Sequence, residues 1–189
     1  MVAMRRTTFA LFCIALALGV LSAHAQVVPS ATGRQLSVTA GGMGAVFQPD
    51  YAGGLIAQTS PNRLYGIGAF VDVKVTRWIQ FEAEGRWLRF NEYYPPSSKV
   101  GINEDTYMAG PRLPIRHFGR ATPYAKALIG LGSGSFILGR ATALAYGGGV
   151  DYRLTRRFTA RGDFEYQQWR VNPTLLPYGA SVGIGYKIF

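Results

Sequence analysis

From about residue 34 to the C-terminus, apolar and polar positions alternate in runs of about nine to thirteen residues, broken by clusters of Gly, Pro, Asn, Ser and Arg. Alternation with period two marks a β-strand whose two faces meet different surroundings. About ten residues is the length a tilted strand needs to cross a bilayer. No segment of useful length repeats apolar residues at helical spacing. The pattern predicts an all-β chain of eight strands: Arg34–Phe47, Arg63–Val75, Trp78–Phe90, Asp105–Ile115, Pro123–Ser133, Ala143–Leu154, Phe158–Trp169 and Tyr178–Phe189. The fourth is the least regular, because Pro111 and Pro114 have no N–H to give a ladder and a closed sheet has no edge to hide them on. Links after strands two, four and six are short: Thr76-Arg77, about Arg116–Thr122, and Thr155–Arg157. Those after one, three, five and seven are longer, as in Gln48–Asn62 and Asn91–Glu104. Short turns at one end, long loops at the other and both termini at the short-turn end describe an eight-stranded antiparallel transmembrane β-barrel, an up-and-down meander.

A partial repeat marks two of its hairpins. Val71-Asp72-Val73-Lys74-Val75-Thr76-Arg77 returns 79 residues later as Val150-Asp151-Tyr152-Arg153-Leu154-Thr155-Arg156. Convergence of two turns and duplication explain this equally well.

The charges decide which face is which. One face of the strands carries Tyr65, Ile67, Val71, Phe81, Trp87, Ile129, Tyr146, Val150, Tyr152, Phe158, Phe164, Tyr166, Val182, Ile184, Tyr186 and Ile188, with no charge among them. The other carries Asp72, Lys74, Glu82, Glu84, Arg86, Arg112, Lys126, Asp151, Arg153, Arg161, Asp163, Glu165 and Lys187, interleaved with glycine. An eight-stranded barrel has room inside only for side chains. With the charged face outward, the lumen would have to hold the large aromatics while a row of glycines stood bare to water. With it inward, the glycines leave space for long Arg and Glu side chains. The aromatics then face lipid, where Tyr65, Trp78, Trp87, Tyr146, Tyr152, Phe158, Tyr166 and Tyr186 suit the interfacial belts. Seven cations and six anions inside are nearly balanced, as burial requires, since an unpartnered buried ion costs several kcal/mol. Glu82, Glu84 and Glu165 are therefore expected to bridge to Arg86, Lys126 and Arg161 as a central plug.

Residues 1–25 read as a secretory signal peptide. Arg5 and Arg6 are followed by an apolar stretch, Phe9–Leu21, and by Ala23-His24-Ala25 with cleavage before Gln26. The stretch is shorter than a spanning helix needs. Two domains follow: the signal, 1–25, and the barrel, 26–189. Cleavage removes the only cysteine, Cys13, so the mature chain has neither a disulfide nor a thiolate metal site. Without Arg5 and Arg6 the chain keeps 18 of its 20 Lys and Arg against 10 Asp and Glu, a formal charge of +8. Most of that charge sits in strands beside carboxylates, so nucleic acid is not expected as a partner.

No catalytic, cofactor or metal site is expected. The mature chain has one histidine, His117, in a short-turn link beside Arg116 and Arg120. That is the wrong end for a lipid-A deacylase, and no second histidine exists for an omptin-type pair. The carboxylates Glu82, Glu84, Asp163 and Glu165 stand among cations and suit structural pairing better than acid–base work. Gly147-Gly148-Gly149 sits mid-strand with no helix after it and is no phosphate loop. The arginines Arg77, Arg116, Arg120, Arg156 and Arg157 gather at the short-turn end, where anionic lipid headgroups or the cell-wall polymer would meet them.

The export segment, the eight alternating runs, the short turns and the strand ending at Phe189 resemble the small outer-membrane barrels of the OmpA/OmpX type. Gly110-Pro111-Arg112 with Thr122-Pro123-Tyr124-Ala125-Lys126-Ala127-Leu128 is similar to the porin-family outer-membrane-protein β-barrel domain. The resemblance implies residence in the outer membrane among lipids that include lipopolysaccharide, and insertion by the barrel assembly machinery, which reads the last strand. That signal usually places aromatics at the last residue and two before it. Here Lys187 holds the earlier position while Tyr186 and Ile188 share the lipid face, so Phe189 falls one residue past the register. The function expected is structural, in envelope integrity or surface interaction, and non-enzymatic. A narrow passive pore is the alternative, and lipid-A modification stands behind both.

Overall fold

The strands close on one another in sequence order, β1 through β8 and back to β1, every neighbouring pair antiparallel. They are β1 (Ser37–Gln48), β2 (Leu64–Lys74), β3 (Gln80–Tyr94), β4 (Ser98–Pro114), β5 (Ala121–Gly134), β6 (Ala141–Arg153), β7 (Phe158–Arg170) and β8 (Tyr178–Lys187). This computed structural model describes residues 36–50, 63–76, 78–94, 98–135, 137 and 139–188, all within the compact unit Arg34–Phe189. The export segment with Ala23, Ala25 and Gln26, together with Arg77 and Phe189, lies outside the described residues. The seam joins Thr39 of β1 to Lys187 of β8 and Gln48 to Tyr178. Closure leaves no edge strand, so every ladder has a partner in a solvent that offers none.

One expectation about the strands needs correction. Asn91–Glu104 was read as a loop, yet Asn91–Tyr94 and Ser98–Glu104 are strand, paired from Tyr94 opposite Ser98 downward. Among the described residues, Asn91–Tyr94 and Ser98–Gly101 pair across the hairpin with each other, whereas Asn103 also bonds to Ser135 beyond β5. The two paired segments form a hairpin that extends beyond the ends of strands β2 and β5. The two-sided pattern resumes at Ile102, which is buried in the lumen beside Leu88. Pro111 lies, as expected, inside β4, opposite Phe81 of β3. Pairing with β5 holds at Ala109 opposite Ile129 and again at Arg112 opposite Lys126, but lapses at Gly110 and Pro111. The missing N–H is accommodated by a local gap in one ladder, with the register kept on both sides of it.

The repeat heptapeptides end in the same turn. In Val75–Ile79 the Thr76 hydroxyl accepts from the backbone N–H of Trp78 (3.2 Å) and Ile79 (2.9 Å). In Leu154–Phe158 the Thr155 hydroxyl accepts from Arg157 (3.2 Å) and Phe158 (3.0 Å). The β4–β5 turn is tighter, closed by Phe118 and Ala121, with Gly119 at φ 61°. That left-handed conformation is one few other residues adopt without strain.

Inside, the lumen is layered. Toward the long-loop end it is mainly apolar, with Glu104 the buried charge among it: Ala45, Phe47, Leu64, Leu88 and Ile102 form one buried cluster, and Met108, Leu128, three alanines of β6 and Trp169 form another. Ion pairs fill the middle. Toward the short-turn end a polar cavity of about 110 Å³ opens beneath them. Several luminal glycines make room for rings rather than for charged chains alone. A Cβ on Gly132 would stand 2.7 Å from the Trp169 ring, and one on Gly41 or Gly179 would run into Phe70 or Phe47.

Candidate functional site

The middle layer is the chemically dense part of the molecule. At its centre is Lys126, the inward residue on β5 flanked by outward Ala125 and Ala127. Its Nζ lies 3.0 Å from Glu82, 3.0 Å from Glu84, 2.6 Å from Asp163 and 2.9 Å from Glu165. Oxygens of Glu82, Glu84 and Asp163 gather within 4.8 Å of one another, close enough to hold a metal ion. The lysine ammonium is already the cation among them. Above it, Arg86 presents its fork to Glu165 at 2.6 and 2.8 Å and reaches Glu84 at 2.9 Å. Planar donors meeting a planar carboxylate bidentately give the strongest and most directional ion pair available to side chains. Gln167 donates to Glu165 at 2.6 Å and accepts from the Trp169 indole at 2.8 Å, tying the charges to the apolar layer.

Toward the short-turn end, Arg161 pairs with Asp72, with Glu82 (3.0 Å) and with Asp151 (3.1 Å). Arg112 pairs with Asp151 at 2.6 Å and donates to Gln80 at 2.8 Å. Each arginine also lies over a ring: Arg86 over Phe47 (4.8 Å), Arg161 over Phe70 (3.9 Å) and Arg112 over Tyr124 (3.5 Å). Desolvation strengthens such contacts as it strengthens the ion pairs. Strands β2 to β7 supply every charge in this network. The facing wall, β1 and β8, offers Gly41, Met43, Gly183 and Gly185 instead, and the Phe70 ring packs against the glycines there.

Of the thirteen charges read as luminal, ten meet in the network: Asp72, Glu82, Glu84, Arg86, Arg112, Lys126, Asp151, Arg161, Asp163 and Glu165. Lys74, Arg153 and Lys187 keep the inward register but sit at the short-turn mouth, where Arg153 and Lys187 are exposed and Lys74 is half-buried. Near-balance of charge therefore describes the lumen with its mouth, whereas the paired core has six carboxylates to four cations. The sequence reading missed the inward aromatics Phe47, Phe70, Tyr124 and Trp169 and the buried Glu104 and Gln167. Their parity along each strand was the available signal. The general fitness of rings for a lipid face points the other way from that parity.

Outside, the aromatics fall near the two ends. Toward the long-loop end stand Tyr65, Trp87, Tyr146, Tyr166 and Tyr178, with Trp87 donating to Tyr107 at 2.9 Å and Tyr166 stacked on Tyr178. Toward the other stand Trp78, Phe118, Tyr152, Phe158 and Tyr186, the last two in edge contact at 5.2 Å between centroids. Valine, isoleucine, leucine and phenylalanine are exposed between them. Two aromatic girdles around an apolar band are the surface a lipid bilayer selects. His117 is exposed in the β4–β5 turn beside Thr122, 2.8 Å from its hydroxyl. Ile188 is exposed one residue past β8, its N–H bonded to Val38 at 2.8 Å.

The sequence profile of the outer membrane protein beta-barrel domain matches residues 13–187. The chain belongs to this family. Membership implies the outer membrane as its location and makes the short-turn end the periplasmic one. No curated protein matches the sequence. Among solved structures, Neisserial surface protein A is similar at TM-score 0.58 and 16% identity, covering 80% of this chain and 96% of its own. Ail, the attachment invasion locus protein of Yersinia pestis, is similar at 0.54 and 18%, covering 81% and 97%. The E. coli outer membrane protein W follows at 0.50 and 13%, covering 81% and 98%. At these identities the likeness is one of fold.

Proposed function

We propose that this protein is a sealed, non-enzymatic barrel of the outer membrane that supports envelope integrity and presents the β3–β4 hairpin for surface interaction. One observation carries the reading. The lumen is closed by two chemically different layers, the apolar residues around Phe47, Leu88 and Trp169 and the ion pairs around Lys126. A solute passage would need a continuous wet path, and side chains of nine-tenths burial occupy the axis instead. The names of two proteins of similar fold, a surface protein and an attachment protein, support the surface role.

On this reading residues 1–25 direct export and are cleaved before Gln26. The barrel assembly machinery takes up the strand ending in Tyr186 and Ile188, and lipopolysaccharide surrounds the outer girdle. Intact mass of the protein from outer membranes checks the first point. Planar-bilayer conductance tests the main claim: the sealed barrel gives no steady open level, and a steady open channel overturns it. A deletion strain with unaltered detergent sensitivity and unaltered surface adhesion removes the functional half.

A further inference from the structure

Among the described residues, the side chains at the periplasmic rim carry charge of one sign. Lys74, Arg116, Arg120, Arg153, Arg156, Arg157 and Lys187 all lie there, and no Asp or Glu occurs between Asp105 and Asp151 or between Asp151 and Asp163. Asp72 and Asp151, the carboxylates nearest in the lumen, are engaged by Arg112 and Arg161. Three of the rim arginines are concentrated further. Arg120, Arg153 and Arg156, with Leu154 and Thr155, line an open groove of about 450 Å³ between the β4–β5 and β6–β7 turns. The two turns are held together by the Arg153 N–H, which donates to the Arg120 carbonyl at 2.9 Å. The Thr155 hydroxyl fixes the loop that carries Arg156. Rigid backbone thus sets three guanidinium groups around one concavity, and among the described residues none of the three is paired with a carboxylate.

The groove meets the lipid-facing wall at Leu154, while Arg153 and Arg120 form its inner bank in the inward register. Leu154 lines it and is exposed, and Tyr152 and Val150 continue upward on β6. Beside them β5 shows lipid only small groups, Ala121, Pro123, Ala125 and Ala127, with Gly148 of β6 opposite Ala125. Leu113 and Ile115 of β4 form the far bank of this shallow trough. Clustered cations at the mouth of a greasy trough suit a molecule that is anionic at one end and apolar along its length. A cell-wall polymer satisfies the first requirement and not the second.

We propose that this groove is a headgroup site for an anionic phospholipid of the periplasmic leaflet. Arg120, Arg153 and Arg156 hold its phosphodiester, and its chains lie along the β5–β6 face. The inference rests on the membrane placement argued above but not on the sealed lumen, so lipid retention and conductance fail independently. The probes are phosphatidylglycerol and phosphatidylcholine, offered together to the detergent-purified barrel, with retained lipid read by native mass spectrometry. Wild type keeps phosphatidylglycerol in preference. Substituting R120Q, R153Q and R156Q together lowers that retention about tenfold or more, since each surface cation contributes appreciably to holding an anionic headgroup. Arg116→Gln, which removes the same charge from the rim outside the groove, leaves it unchanged. If the triple variant does not show the gel shift of a folded barrel, Arg156→Gln alone, at the turn tip, carries the test with a loss of about threefold. Equal retention of both lipids, or an equal loss in Arg116→Gln, overturns the proposal. So does displacement of the lipid by inorganic phosphate at matched concentration, or arginine-dependent binding to isolated sacculi with lipid retention untouched.

Discussion

Lys126 shows how a charge survives inside this barrel. Its ammonium touches four carboxylates, two of which are bound in turn by Arg86 and one by Arg161. Desolvating such a group costs several kcal/mol, which only simultaneous contacts of this kind offset. Removing it is worse than never having had it, because four carboxylates are left facing one another. Lys126→Met is expected to destabilise the folded barrel by about 3–5 kcal/mol, measured by reversible urea unfolding in lipid vesicles. Arg86→Met combined with Glu165→Met, which deletes both members of a pair, is expected to cost less than the sum of the two single changes. A loss that is simply additive would show that the Arg86–Glu165 fork contributes nothing as a pair. The steric counterpart is Gly132, where even a methyl group would meet the Trp169 ring at 2.7–2.8 Å. Gly132→Val is expected to cost about 1–3 kcal/mol by the same measurement and to shift Trp169 fluorescence.

At the scale of the strand, what could be read from the sequence depended on what each face touched. Strands β2, β5, β7 and β8 border lipid on one side and packed lumen on the other, and period two placed them within a few residues. The far ends of β3 and β4 carry Asn, Glu and Ser and flank a Pro pair in the sequence, and the loop expected there is instead strand, with backbones paired as far as Tyr94 and Ser98. The charged residues were legible because a charge tolerates only the inward face. Phe47, Phe70, Tyr124 and Trp169 were not, because a ring is at home on either face and its side is settled by a glycine across the lumen or an arginine above it. Such partners come from strands distant in sequence and leave no local trace. The turns are the opposite case, being local and repeated. Thr155 accepts two backbone N–H bonds that nothing else nearby replaces. Thr155→Val, close in shape but without the oxygen, is expected to cost about 1–2 kcal/mol and to slow refolding into vesicles. Thr155→Ser is expected to restore both.

For the whole molecule, the two layers divide the work of closure. Each spans the lumen with a different chemistry, so each fails under different conditions: salt and charge substitutions disturb the ion pairs, cavity-forming substitutions the apolar layer. Phe47 and Trp169 are both almost wholly buried in the apolar layer, and truncating them with Phe47→Ala and Trp169→Ala together opens that layer while every charged residue stays in place, although Arg86 loses the ring beside it and Gln167 its indole donor. The ion pairs around Lys126 would still block the axis, so bilayer conductance is expected to stay at the baseline while stability falls by several kcal/mol. Adding Arg86→Ala and Glu165→Ala to the same chain empties the upper part of the charged layer as well. Brief, flickering openings are then expected, because only the lower ion pairs of Lys126, Arg161 and Arg112 would separate the polar cavity above the periplasmic mouth from the space the rings had filled. Openings in the doubly truncated chain, with its charges intact, would mean that the ion pairs are loosely hydrated and that the rings alone keep the barrel shut.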